Sequence, residues 1–227
     1  MTARWRAPLA ALAGGWLPAH QGVVGLMIAI ALALPASRHA LELSMWRHMV
    51  LQYPLWMLAG ALLAGALPAR MRGAIARWNA SGITGLLYAG AALSVLMIPR
   101  VLDLALLHPG IEATKCAALL LTGVALRLSW QAAGLVVQSF FLGNLLLMGA
   151  VVGQLYANSP LRLCNAYLLG DQERLGRWLT GISAALAVAW IAQVMWWIVR
   201  READARTMAG TPGTPAAPEP PASRTPQ

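Results

Sequence analysis

AAGLVVQSFFLGNLLLMGAVVGQLY, residues 132–156, runs for 25 positions without one charged side chain. As a helix it is long enough to cross a hydrocarbon core of about 30 Å. Similar apolar stretches recur on both sides of it. The whole chain has 227 residues, 59% of them hydrophobic and 11% charged, with a mean hydropathy of +0.60. Soluble domains carry about 25% charged residues, so this chain is built for lipid. A β-barrel would need alternating segments of about 10 residues, and none occurs. The expected fold class is therefore all-α, a polytopic transmembrane helical bundle.

Six spans are expected: 22–37, 45–67, 81–99, 109–128, 132–156 and 177–200. The first ends in ALPAS, which also suits a signal-peptide cleavage site; an uncleaved first helix is the preferred reading. Pro54 should kink the second span, because proline removes a backbone donor and crowds the preceding turn. PARMRGAIARW (68–78) reads as a basic loop. HPGIEATK (108–115) reads as a helix start, since proline suits a first helical turn. Arg127, Ser129 and Gln131 mark a tight turn. Three regions follow: a short cytoplasmic N-terminal segment (1–20), the bundle (21–200) and a disordered, Pro/Ala-rich cytoplasmic tail (201–227).

The formal charge is +9, and Lys115 is the only lysine. The arginines sit at the edges of apolar segments, where they set topology and meet membrane lipid; nucleic acid is not expected as a partner. With both termini inside, Arg4, Arg6, Arg70, Arg72, Arg77, Arg127, Arg200, Arg201, Arg206 and Arg224 face the cytoplasm. Arg38, Arg47, Arg100, Lys115, Arg162, Arg174 and Arg177 then lie outside, a modest bias. Three polar stretches share the outer face: 37–49, 97–116 and 157–178.

Residues four apart share a helix face. His108, Glu112 and Cys116 are so spaced, as are His48 and Gln52, with Met45 and Met49 alongside. His, Cys and Met together suit Cu(I). Plain packing is the competing reading. Outer loops need charge, Glu112 is favoured by a helix dipole alone, and methionine fills apolar helices. No HxxxH, CxxC or HExxH motif is present. Neither is a nucleotide loop, a Ser/His/Asp set or a carboxylate pair, so no enzyme chemistry is expected. GAVVG (149–153) is a Gly-xxx-Gly pair suited to close helix packing. Gln138, Asn144, Ser94 and Thr122 are the groups that could line a solute path.

Three stretches carry a resemblance. RHMVLQYPL (47–55) resembles the HM-x-x-H segment of the CtaG-type membrane proteins, assembly factors of caa3-type cytochrome c oxidases. IPRVLDLALLHPGIEATKCAALLLTG (98–123) resembles their aspartate and His-Pro stretch. GDQERLG (170–176) resembles their Asp-Gln signature before the last helix. The three fall in the family's order over residues 45–200. His48, Met49, Asp103, His108, Asp171 and Gln172 match. Where the family places further histidines, this chain has Gln52 or its neighbours, Glu112 and Cys116. The resemblance implies a non-enzymatic role in maturing a haem-copper respiratory oxidase at the outer face of a bacterial inner membrane. Copper would be the handled metal and the oxidase subunits the partners. His48, Met49, His108, Glu112 and Cys116 are then the expected ligands, with Asp103, Asp171 and Gln172 orienting them. A metal-free scaffold that docks a respiratory partner and a small-solute transporter are the alternatives.

Overall fold

The computed structural model describes residues 18–209, and the outermost parts of the expected N-terminal segment and tail, 1–17 and 210–227, lie outside them. The described residues form helices and no strand: α1 (Pro18–Ala33), α2 (Pro35–Glu42), a π-helical segment (Arg47–Gln52), α3 (Tyr53–Gly65), α4 (Ala69–Trp78), α5 (Ile83–Leu96), α6 (Pro99–Leu107), α7 (Pro109–Trp130), α8 (Leu135–Asn158) and α9 (Leu169–Ala209). The chain divides into two compact units, 1–187 and 188–227. The second, as far as described, is the remaining length of α9, where Arg200 and Arg201 cover the rings of Trp196 and Trp197 at 3.8 and 3.7 Å. That helix carries residues 201–209, which sequence composition assigned to a disordered tail.

The all-α membrane architecture is present. α8 and α9 are long and apolar enough to span a bilayer, and three bent helix pairs raise the number of candidate spans to five. The expected fourth span, α7, carries Glu112, Lys115 and Arg127 and falls short of the same apolar measure. It tolerates those groups because it packs against α3, α5 and α6 within the bundle. α8 shows the opposite character: Val136, Phe140 and Leu147 are largely exposed, as side chains facing acyl chains should be.

Proline sets the breaks. A residue before proline is pushed from helical to extended backbone. Leu34, Ile98 and His108 take ψ values of 136°, 124° and 113°, and Pro35, Pro99 and Pro109 then start α2, α6 and α7. The resulting bends are 70° between α1 and α2 and 76° between α5 and α6. Between α3 and α4 the bend reaches 113° near Pro68. The basic stretch 69–78 is thus a helix rather than a loop, and residues 99–107 form a helix where sequence suggested only a connection. Arg127 and Ser129, expected in a turn, are still helical. Pro54 acts differently from the expected kink. It lies in the first turn of α3, directly after the π-helical segment. A π turn widens the helix by one residue, which makes room for a ring that cannot donate to the carbonyl of Val50.

α3 and α7 make the most intimate pair. A Cβ on Gly60 would collide with the Leu120 carbonyl, and one on Gly123 with the Met57 carbonyl. The two backbones therefore touch reciprocally, as small residues permit in membrane bundles. The expected Gly149/Gly153 pair works likewise, against Ser183, Thr180 and Gly176 of α9.

Gly60→Ala or Gly123→Ala should each destabilise the purified protein by about 1–3 kcal/mol through overpacking. Gly73→Ala, at a position with open space around it, should hold or raise stability. Thermal melting in one detergent checks all three.

Candidate functional site

The breaks gather three distant segments at one rim of the first unit. Ser44 donates to Asp171 (3.2 Å), His48 meets Tyr167 (2.9 Å), and Asp103 holds the backbone of Asn165 and Ala166. The polar stretches 37–49, 97–116 and 157–178 thus meet at one end of the bundle, as expected of stretches on one face.

His48 is the centre. It sits on the π-helical segment with none of its surface exposed. Lys115 Nζ lies 2.7 Å from His48 Nε2. The ammonium group can only donate, so Nε2 accepts and Nδ1 carries the ring hydrogen. Nδ1 then donates to the Tyr167 hydroxyl, which donates to the Glu42 carbonyl at 3.0 Å. The chain of hydrogen bonds runs in one direction, Lys115 to His48 to Tyr167 to Glu42.

Glu112 Oε2 lies 2.7 Å from Lys115 Nζ, in an ionic contact out of line for a hydrogen bond. The side chains of Lys115 and Glu112 are 1% and 5% exposed, so this is a buried pair. Arg38 Nε stands 3.6 Å from Glu112 Oε1 and 2.8 Å from Glu42 Oε1. Two cations and two carboxylates balance. Below His48, Gln52 is fully buried and neither of its amide atoms has a hydrogen-bond partner; Trp56 Nε1 is orphaned too. Such groups cost about 1–3 kcal/mol each.

The expected ligand set does not assemble. Among the described residues, no group of three or more His, Cys, Asp or Glu side chains is placed to hold a metal ion. His48 gives its free lone pair to Lys115. Met49 packs in the apolar core beside Met45 and Tyr53. His108 is exposed at the junction of α6 and α7, where its carbonyl receives the amides of Ile111 and Glu112. Glu112 is engaged by Lys115, and the half-buried Cys116 thiol donates to Glu112 Oε1 at 3.4 Å. A cation already fixed at the imidazole repels a second one, so these residues do not fit copper.

Two of the residues expected to orient ligands, Asp103 and Gln172, clamp the 159–168 connection instead, and the third, Asp171, accepts from Ser44. Gln172 Oε1 accepts the Leu163 amide at 2.8 Å, and its Nε2 donates to the carbonyls of Tyr156 and Leu161. Arg162 closes on the Tyr167 carbonyl at 2.7 Å. Asp103 pins the two residues before Tyr167. Together they aim Tyr167 at His48. Burial pushes the Cys164 thiol up to about 12, with the nearby Asp103 carboxylate adding to the effect. Burial, then the Glu42 charge, raises the Tyr167 phenol as well. Tyr167 therefore keeps the proton that it donates to Glu42.

Sequence reasoning missed Lys115, Tyr167, Arg38 and Glu42. Lys115 carried a signal: a lone lysine three residues past a glutamate in an apolar helix calls for a named partner. Tyr167 carried none, being 119 positions from His48.

No protein-family model, curated protein or solved structure matches the chain.

Lys115→Met alone should cost about 3 kcal/mol, because it leaves the buried Glu112 carboxylate with only the longer contact to Arg38. Lys115→Met/Glu112→Leu should recover most of that loss. Thermal melting of both variants checks the pair; a single variant as stable as the parent would contradict it.

Proposed function

We propose that this integral membrane protein acts as a metal-free docking scaffold in the maturation of a haem-copper respiratory oxidase. The oxidase context rests on the sequence resemblance around RHMVLQYPL, the His-Pro stretch and GDQERLG. The metal-free character rests on one observation: Lys115 Nζ stands 2.7 Å from His48 Nε2, where a copper ligand needs an open lone pair. The resemblance implies a bacterial inner membrane with the polar rim at its outer face, and the arginine distribution favours cytoplasmic termini.

A transporter is less well supported. Asn144, Ser94 and Thr122 each donate to a carbonyl of their own helix, and Gln138 donates to the carbonyls of Trp130 and Ala133. Backbone contact at Gly60 and Gly123 closes the α3–α7 seam between them. The unpartnered polar groups beside it, the Gln52 amide and Trp56 Nε1, stop one turn short of the Gly60–Leu120 contact.

The rim is suited to docking by shape. A clamped connection, a balanced charge network and the Trp46–Trp178 stack at 6.1 Å make a rigid surface. A partner subunit could bind it without first ordering it.

The test uses a bacterial strain lacking the protein, complemented with the native chain or with His48→Ala. The native chain, purified in detergent under reducing conditions, should hold substoichiometric copper. It should also co-purify with oxidase subunits, and its loss should lower oxidase activity in a way that added copper does not rescue. Stoichiometric copper that His48→Ala abolishes would establish copper handling instead. Unchanged oxidase activity in the deletion strain would remove the oxidase context.

A further inference from the structure

Helix α4 (ARMRGAIARW) is the one element of the first unit, apart from α2, with no buried residue. It is turned 113° from the helix before it. Only Ala66, Leu67 and Pro68 separate it from the apolar α3. Three extended residues span at most about 10 Å, so α4 starts at the edge of the apolar layer and cannot leave it.

Its two faces differ. Met71, Ile75 and Trp78 follow the i, i+4, i+7 spacing of one helix face. Met71 is 51% exposed, Trp78 is 85% exposed and Ile75 is partly buried, so the bundle leaves most of that face uncovered. Arg70, Gly73 and Arg77 lie on another side, with Arg72 beyond them. No acidic residue occurs in α4. Arg70, Arg72 and Arg77 join no ion pair among the described residues. Arg127 stands at the same end of the bundle, donating to the Ala61 carbonyl and to Gln21. With no carboxylate paired to Arg70, Arg72 or Arg77, this end of the bundle is uncompensated and positive.

An apolar stripe, arginines flanking it on both sides and a tether at the hydrocarbon edge describe a helix lying in a membrane interface. The charge selects the lipid, because anionic headgroups attract arginines held at the surface. We propose that α4 is an interfacial helix that recruits anionic phospholipid. Met71, Ile75 and Trp78 enter the acyl boundary, and Arg70, Arg72 and Arg77 bind headgroup phosphates.

The test uses the full chain, one copy per nanodisc, in phosphatidylcholine mixed with phosphatidylglycerol. Native mass spectrometry of the released protein reads the retained lipid. The native chain should retain an excess of phosphatidylglycerol, and Arg70→Gln/Arg72→Gln/Arg77→Gln should cut that excess about fivefold. An equal loss in Arg200→Gln/Arg201→Gln/Arg206→Gln would overturn the proposal, since total charge alone would then explain retention. Met71→Cys and Gly73→Cys supply an independent readout with a bulky water-soluble maleimide. Gly73 has open space for a side chain. The Gly73→Cys thiol should label fast and the Met71→Cys thiol slowly. Equal labelling would overturn the proposal. Met71→Cys protection seen only at two copies per disc would assign the face to a second copy of this chain.

Discussion

A single buried contact organises the polar rim: the Lys115 ammonium on the His48 imidazole, 2.7 Å apart. An ammonium group taken out of water must find an anion and hydrogen-bond acceptors. Glu112 supplies the first and His48 the second. That requirement fixes the tautomer of His48, which fixes the direction of its bond to Tyr167 and the placement of the clamped connection above it. The same requirement draws Arg38 and Glu42 in from α2. Remove the lysine and the other groups lose the reason for their arrangement. A cation seated at Nε2 denies that position to a metal.

Backbone chemistry makes this contact possible. Prolines 35, 99 and 109 end apolar helices by forcing extended backbone at the residue before them, and each starts a new helix close to the rim. The π-helical segment before Pro54 buries His48, Met49 and Gln52 together. Below the rim the arrangement becomes closed and apolar, with α3 and α7 meeting backbone to backbone at Gly60 and Gly123.

How much of this was legible in the sequence follows from the range of each interaction. Apolar runs are local, so the all-α membrane class could be read directly, and the expected spans 109–128 and 132–156 fall within two or three residues of the Pro109–Trp130 and Leu135–Asn158 helices. The Gly149/Gly153 pair is also local, and it packs as its spacing suggests. Arginine density misled at 69–78, because a basic stretch beside a proline suits either a loop or an amphipathic helix. The site was legible only in half. Spacing put Glu112 and Cys116 on one face, and they do touch. It also put His108 there, but the residue before Pro109 leaves helical geometry, so the i, i+4 rule does not extend back to it. Asp103 and Gln172 were identified as orienting groups, and they do orient, through Tyr167 rather than through metal ligands. Tyr167 itself becomes visible only once the chain has folded 119 positions back onto His48.

Nitrogen-15 NMR of the His48 imidazole in the purified full chain tests the central contact most directly. The geometry predicts a neutral ring with hydrogen on Nδ1 and an unprotonated, hydrogen-bonded Nε2, and a spectrum that added Cu(I) leaves unchanged. A hydrogen on Nε2, or an Nε2 resonance that moves on titration with Cu(I), would contradict the account.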